Sequence, residues 1–306
     1  LAGRDSFVPP QMYDFVIDWE AEKAEAEAWI REVFALPDGV DLTSPGPLAA
    51  DPRLGRGTEL WRLGLYESAR AEFENLRTAI QFDPADNYRL ANYLLDLGLY
   101  RTAIFCTRQI LTLAGMDDAA TMGAPPYFNH IRFKLYYDDL VLPLANEYDL
   151  HPLLLYSVIR QESLFEGFVR SVAGARGLMQ IIPATGQGIY NNLGWPPGYT
   201  AEDLYRPVIN VPYGADYLTG QIERFGGNAS GAPPSGITVY AALAAYNGGP
   251  GNSAVWLSLA DNACPECTAA DPDLFLELVR FGETRNYIRG VYEIFAIYRR
   301  IYDRTP

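Results

Sequence analysis

A carboxylate stands where the local pattern asks for a hydrophobe. Leu155, Val158 and Ile159 recur at helical spacing, and the next position on that apolar stripe is Glu162. The predicted helix begins at Asp149-Leu150-His151-Pro152, with Pro in the first turn, His151 at the cap and Asp149 supporting it. A carboxyl group at the edge of an apolar core loses hydration, which disfavours its ionised form and lifts its pKa toward neutrality. That is what a general acid requires. The same spacing also suits a glutamate turned outward at a frayed helix end and paired with Arg160 or Arg170, so its chemistry depends on what lies around it.

The residues that follow narrow the choice. In GARGLMQIIPAT, Gly174 and Gly177 permit positive φ and close backbone approach, and Gln180 sets an amide inside the apolar run 178–182 before Pro183 opens the next helix. Once buried, that amide needs partners, which the core or a sugar amide or hydroxyl supplies. In TVYAALAAYNGGPG, the stripe Val239, Ala242, Leu243 ends at Tyr246, and Asn247-Gly248-Gly249-Pro250 stops the helix. The Tyr246 hydroxyl then either edges the core or points into a cleft.

Positioning these groups takes a sizeable scaffold. The 306 residues, 49% hydrophobic, are enough for a large core and two domains, expected at 1–125 and 126–306. A net charge of -14 argues against nucleic acid or anionic lipid as partner. No apolar run is long enough to span a membrane. The chain starts at Leu1 without a charged-then-apolar leader, so a targeting segment is expected to have been removed. The first third reads as helices: residues 15–34 are rich in Ala and Glu, and residues 38–52 break the pattern with Gly and Pro. LGLYESARAEFENL from Leu63 and LGLYRTAIFCTRQI from Leu97 start 34 residues apart, the period of tetratricopeptide arrays. Gly64, Tyr66, Ala69 and Leu76 recur as Gly98, Tyr100, Ala103 and Ile110, while Phe73 is replaced by Thr107. A turn-rich linker is expected over 116–129. Beyond it strand alternation is nearly absent, so the fold class is mainly α, with at most a small β-hairpin at the Gly-rich stretch. Cys264 and Cys267 form one C-x-x-C pair, open to a loop disulfide, a weak zinc signal or free thiols.

Taken in order, Arg160-Gln161-Glu162-Ser163, GARGLMQIIPAT, AAYNGGPG and GETRNYIRGV from Gly282 resemble the soluble lytic transglycosylase family of peptidoglycan-cleaving enzymes. Between them, Asn210, Gly214, Tyr217 and Leu218 are similar to that family's Asn-containing helix start. The resemblance covers about residues 130–303. It implies a lysozyme-like catalytic domain, preceded by an α-helical, TPR-like superhelical region. It implies Glu162 as acid and then base, Ser171, Gln180, Ile182, Asn247, Glu283 and Tyr287 as residues lining the glycan cleft, and Tyr246 beside the carboxyl and the substrate acetamido group. No cofactor and no metal are implied. Val172 stands where many relatives have Pro and Ile182 where many have Met, so the muramyl or peptide subsite on that wall is expected to differ. Residues 258–273, which carry the two cysteines, resemble a local insertion.

A pair of carboxylates is the usual equipment for cleaving a glycosidic bond. Only one strong candidate is visible here, which fits attack by the substrate's own acetamido oxygen, followed by closure of the muramyl 6-hydroxyl onto C1 to give a 1,6-anhydro product. A goose-type lysozyme-like hydrolase is the rival enzyme reading, with Glu166 or Asp216 as the second acid. A non-catalytic peptidoglycan-binding scaffold is the rival from another class. The expected partners are peptidoglycan strands, with cell-wall synthesis or secretion proteins docking through the helical region, and the expected location is extracytoplasmic.

Overall fold

The structure, a computed structural model, describes Phe7 and residues 16–227, 233–263 and 269–303. It is mainly α, and the chain divides into two compact units: Asp14–Tyr136 with Leu164–Phe168, and Leu1–Tyr13 with Tyr137–Ser163 and Val169–Pro306.

The first unit holds α1 (Trp19–Val33), α2 (Pro52–Arg62), α3 (Tyr66–Ala79), α4 (Pro84–Leu97), α5 (Tyr100–Leu113) and α6 (Pro126–Arg132). The 34-residue repeat is a repeat of helical hairpins, α2 with α3 and α4 with α5. Each LGLY motif is the turn between them: Gly64 and Gly98 take φ of 75° and 80°, a left-handed conformation that costs a glycine little. Ala69 and Ala103 are fully buried at the start of the second helix of each pair. Gly57 makes room for Phe73, since a Cβ there would lie 2.8 Å from the ring. The second hairpin instead has Ala91 and Thr107 at these places, more bulk on one helix and less on the other.

This unit extends past residue 125, the boundary expected from the sequence, to Tyr136. The expected linker contains a 3-10 turn (Asp118–Gly123) and leads into α6, which packs on α1 and α5. Asn129 ties the two by donating from Nδ2 to the Thr121 carbonyl (2.9 Å). The short segment 164–168 also belongs here. Leu164 and Phe165 both have positive φ (49° and 66°), which for such residues is strained. Phe165 packs on Tyr136, Phe168 lies against Trp61 and Tyr66, and Glu166 pairs with Arg70 at 2.9 Å and Arg101 at 3.8 Å.

The second unit holds α7 (Asp138–Glu147), α8 (Pro152–Ser163), α9 (Pro183–Leu193), α10 (Pro207–Arg224), α11 (Gly236–Gly248), α12 (Pro250–Ala263), α13 (Pro272–Leu278) and α14 (Gly282–Tyr302). The start of α8 is capped as the sequence predicts, with His151 Nδ1 accepting the Leu153 N–H at 3.2 Å. Accepting requires a neutral ring, and burial, helped by the charge of Arg299, lowers the His151 pKa to about 3.

Two helices are more enclosed than single stripes suggest. On α8 every residue from Leu153 to Ile159 is buried, and on α11 every residue from Thr238 to Ala245. Alanines let neighbours approach α11 from several sides, and α10, α12, α13 and α14 all pack on it. The expected hairpin at the Gly-rich stretch is reduced to isolated bridges pairing Arg176 with Arg170 and with Ile181. Cys264 and Cys267 lie outside the described residues. Among the described residues no helix is long and apolar enough to cross a membrane, and no three His, Cys, Asp or Glu side chains group as metal ligands.

Candidate active site

Glu162 is the penultimate residue of α8, at the point where that buried helix reaches the surface, and its side chain is half-buried. The helix approaches α14 closely there: a Cβ on Gly290 would lie 2.8 Å from Gln161 Oε1. Burial lifts the Glu162 carboxyl from 4.5 to about 7, the nearby Tyr287 hydroxyl opposes the rise, and the charge of Glu283 adds to it. The glutamate is therefore poised between its two protonation states near neutral pH.

Tyr287 and Glu283 reach the site together because they lie one helical turn apart on α14. Tyr287 is buried, and its hydroxyl makes no hydrogen bond of standard geometry, although it is close enough to act on the Glu162 carboxyl. Burial and the neighbouring Glu162 push its phenol far above 10, so it stays protonated. Glu283, in the first turn of α14, is exposed.

Tyr246 closes another side. Burial and the charge of Glu162 push its phenol far above 10 as well, which puts the two side chains in electrostatic reach. Its hydroxyl donates to the Met179 carbonyl at 2.8 Å, and its ring meets Tyr217 edge-on with centroids 5.3 Å apart. Next to it, Asn247 Oδ1 accepts from Thr284 Oγ1 at 2.7 Å, tying the end of α11 to the start of α14.

The Gly-rich loop supplies the remaining expected positions. Gln180 sits at φ 50°, and its Nε2 donates to the carbonyls of Gly177 (2.8 Å) and Val169 (3.3 Å), so its amide protons close the loop. Ser171 Oγ accepts the Ala175 N–H at 3.0 Å, shaping the turn 171–175. Val172 is fully exposed and Ile182, which precedes α9, is 47% exposed. Both present apolar surface to solvent.

The structure brings Glu162, Tyr246, Glu283 and Tyr287 together. Ser171, Gln180 and Ile182 lie on the Gly-rich loop, whose Met179 meets Tyr246. Of the two acids named as a possible second carboxylate, Glu166 belongs to the first unit, where Arg70 binds it. Asp216 is half-buried on α10, its pKa raised by burial and by the charge of Glu223.

The sequence pattern assigns no role to Met179, and Asn210 enters only through the resemblance. The fully buried Asn210 side chain accepts the Met179 N–H (2.7 Å) and donates to the carbonyls of Arg176 and Leu204 (both 2.8 Å). The signal available was the pair of glycines. A Cβ on Gly177 would collide with the Leu204 carbonyl oxygen and lie 2.5 Å from Asn210 Nδ2, and one on Gly214 would lie 2.7 Å from Met179 Cβ.

Residues 139–265 match the family model of the transglycosylase SLT domain. The chain is 29% identical to the soluble lytic murein transglycosylase of Salmonella typhimurium, over 82% of this chain and 34% of that protein. It is 28% identical to the Escherichia coli protein of the same name, over 88% and 36%. The chain thus spans about a third of the length of these relatives. Among solved structures, the 70 kDa soluble lytic transglycosylase from Escherichia coli superposes with a TM-score of 0.64 at 25% identity, over 92% of this chain and 44% of that one. An inactive Glu-to-Gln mutant of the lytic transglycosylase Slt from Pseudomonas aeruginosa gives 0.63 at 26% identity, over 92% and 41%.

Proposed function

We propose, from the premise that residues 139–265 belong to the transglycosylase SLT domain family, that this protein is a peptidoglycan lytic transglycosylase. It would cleave the MurNAc-GlcNAc β-1,4 bond without water, with Glu162 as its single acid and base. The observation that carries this reading is the placement of Glu162 at the end of the buried helix α8, among Tyr246, Tyr287 and Glu283, where burial holds its carboxyl at about 7.

Cleavage proceeds in two proton transfers. In the first, neutral Glu162 gives its proton to the glycosidic oxygen as the C1–O bond breaks and the acetamido carbonyl oxygen bonds to C1. In the second, ionised Glu162 takes the proton of the muramyl 6-hydroxyl, whose oxygen bonds to C1 and releases the acetamido oxygen. Glu162 ends as it began and no water is consumed. A pKa close to the working pH serves both steps, and the charge of Glu283 favours the protonated form in which the cycle starts. The inactive Glu-to-Gln relative agrees with a cycle that depends on one carboxyl. Ser171, Gln180, Ile182, Asn247 and Tyr287 are assigned to the walls that hold the glycan. The substrate sets an extracytoplasmic location, in line with relatives named as membrane-bound murein transglycosylases. The helical hairpins of the first unit are the surface we assign to cell-wall synthesis or secretion proteins.

The test is digestion of purified peptidoglycan in heavy-oxygen water, followed by mass spectrometry. Muropeptides ending in 1,6-anhydro-N-acetylmuramic acid, without label at C1, are expected. Labelled reducing ends as the main product would assign the site to a hydrolase, and no release at all would leave a binding scaffold.

A further inference from the structure

We infer that Asn210 is a positioning residue for the Glu162 reaction, acting through Met179 to make Tyr246 a hydrogen-bond acceptor toward substrate. The inference rests on the function proposed above and concerns how that site is set.

Tyr246 has one hydroxyl proton, and it is spent on the Met179 carbonyl at 2.8 Å. What remains on the phenolic oxygen is lone-pair density. An oxygen so committed cannot donate to an acetamido carbonyl, but it can accept the acetamido N–H. Accepting that proton turns the amide so that its carbonyl oxygen is the end free to attack C1, and it makes that oxygen more electron-rich. Substrate-assisted cleavage needs both effects.

The arrangement holds only if the Met179 carbonyl keeps its direction, and Asn210 is what holds residue 179. The buried Asn210 side chain is fully used on this loop: Oδ1 takes the Met179 N–H at 2.7 Å, and the two Nδ2 protons go to Arg176 and Leu204 carbonyls, both at 2.8 Å. The amide has one satisfactory orientation, because a flip would set its NH2 against an N–H and its oxygen against two carbonyls. On the C-terminal side, Gln180 at φ 50° fixes the next peptide, locked by its own bond to the Gly177 carbonyl. Gly177 and Gly214 let Asn210 and Met179 come this close, since a Cβ on either would collide with them. A single rigid path therefore runs from α10 through the Met179 backbone to the Tyr246 oxygen beside Glu162.

The test is a double-variant cycle on purified peptidoglycan with Asn210→Ala, Tyr246→Phe and the pair, scored per folded molecule from near-UV circular dichroism. Each single variant is expected to lose about ten- to a hundredfold in kcat, with KM within about twofold. The pair should be no slower than the slower single, because both remove the same interaction. Losses that multiply, or a folded Asn210→Ala with wild-type kcat, would overturn the inference. Should Asn210→Ala fail to fold, Asn210→Asp keeps the acceptor for Met179 N–H and drops the donors. It is expected to unfold more easily yet keep kcat within about threefold of wild type, and a soluble Asn210→Asp as slow as Tyr246→Phe would also overturn it. A wild-type protein that releases no muropeptides would remove the proposed function itself, a result distinct from either of these.

Discussion

At the scale of the residue, Glu162, to which we assign the proton transfers, is held at a cost to stability. Its carboxyl titrates near 7 in the folded protein and near 4.5 as an unperturbed side chain. A raised folded pKa means the folded state keeps the proton longer than the unfolded chain, so the favourable contribution is whole below about pH 4.5 and is lost as pH rises through about 7. Glutamine at 162 cannot ionise and escapes that loss. Glu162→Gln is therefore expected to match wild type in stability near pH 4 and to exceed it near pH 8, by no more than about 3 kcal/mol. Thermal unfolding of both proteins across that range is the measurement. A constant difference at all pH values would mean that burial does not set the Glu162 pKa. The same substitution should abolish turnover, so one variant separates the stability of the site from its chemistry.

At the scale of the element, α10 sets two glycines under opposite demands. Gly214 faces Met179, where a Cβ would collide with Sδ and lie 2.7 Å from both Cβ and Cε. The flexible thioether can swing aside but Met179 Cβ cannot, because Asn210 holds its backbone. Gly214→Ala is expected to destabilise by about 1–3 kcal/mol, the usual cost of overpacking, and to slow turnover by moving residue 179. Gly220, on the same helix, meets nothing within 4 Å and is exposed. Gly220→Ala should instead stabilise by about 0.5–1 kcal/mol through backbone entropy alone. Denaturant titrations of the two variants should give opposite signs, and a gain from both would contradict the close approach at Met179. Much of this element structure is legible in the sequence. Pro183 and Pro152 announce their helices, and Gly64 and Gly98 mark the hairpin turns because a left-handed turn leaves a local signature. Glu162 and Tyr246 stand out because a polar group closes an apolar stripe. What periodicity cannot show is how many neighbours a helix has, so α8 and α11 read as stripes although they are enclosed. Nor could it show Asn210, whose three partners come from segments 176–179 and 204.

For the whole molecule, the least legible feature is that residues 164–168, immediately after α8, belong with the helical hairpins. Nothing local in Leu-Phe-Glu-Gly-Phe says so, since its partners Trp61, Tyr66, Arg70 and Arg101 lie far back in sequence. The repeat gains a meaning here: Tyr66 and Tyr100 open α3 and α5 at matching places, one against Phe168 and the other stacked on Tyr136, which packs on Phe165. Glu166 is the charged member of this packing, 2% exposed, its pKa raised by burial and drawn back by Arg70. Removing one partner of such a pair leaves a buried charge behind, and the two partners are not equivalent. Arg70 keeps 28% of its side chain exposed and can be hydrated when alone, whereas Glu166 cannot. Arg70→Ala is therefore expected to cost about 3–5 kcal/mol at neutral pH, and Glu166→Gln clearly less. Without Arg70 the Glu166 pKa rises further above that of the unfolded chain, so the loss should be small below about pH 4.5 and grow as pH rises. Chemical unfolding of the two variants at acid and neutral pH, followed through the first unit's tryptophans, reads this directly. Equal losses from both substitutions, or a loss in Arg70→Ala that does not shrink in acid, would show that the buried carboxylate does not govern how this segment is held.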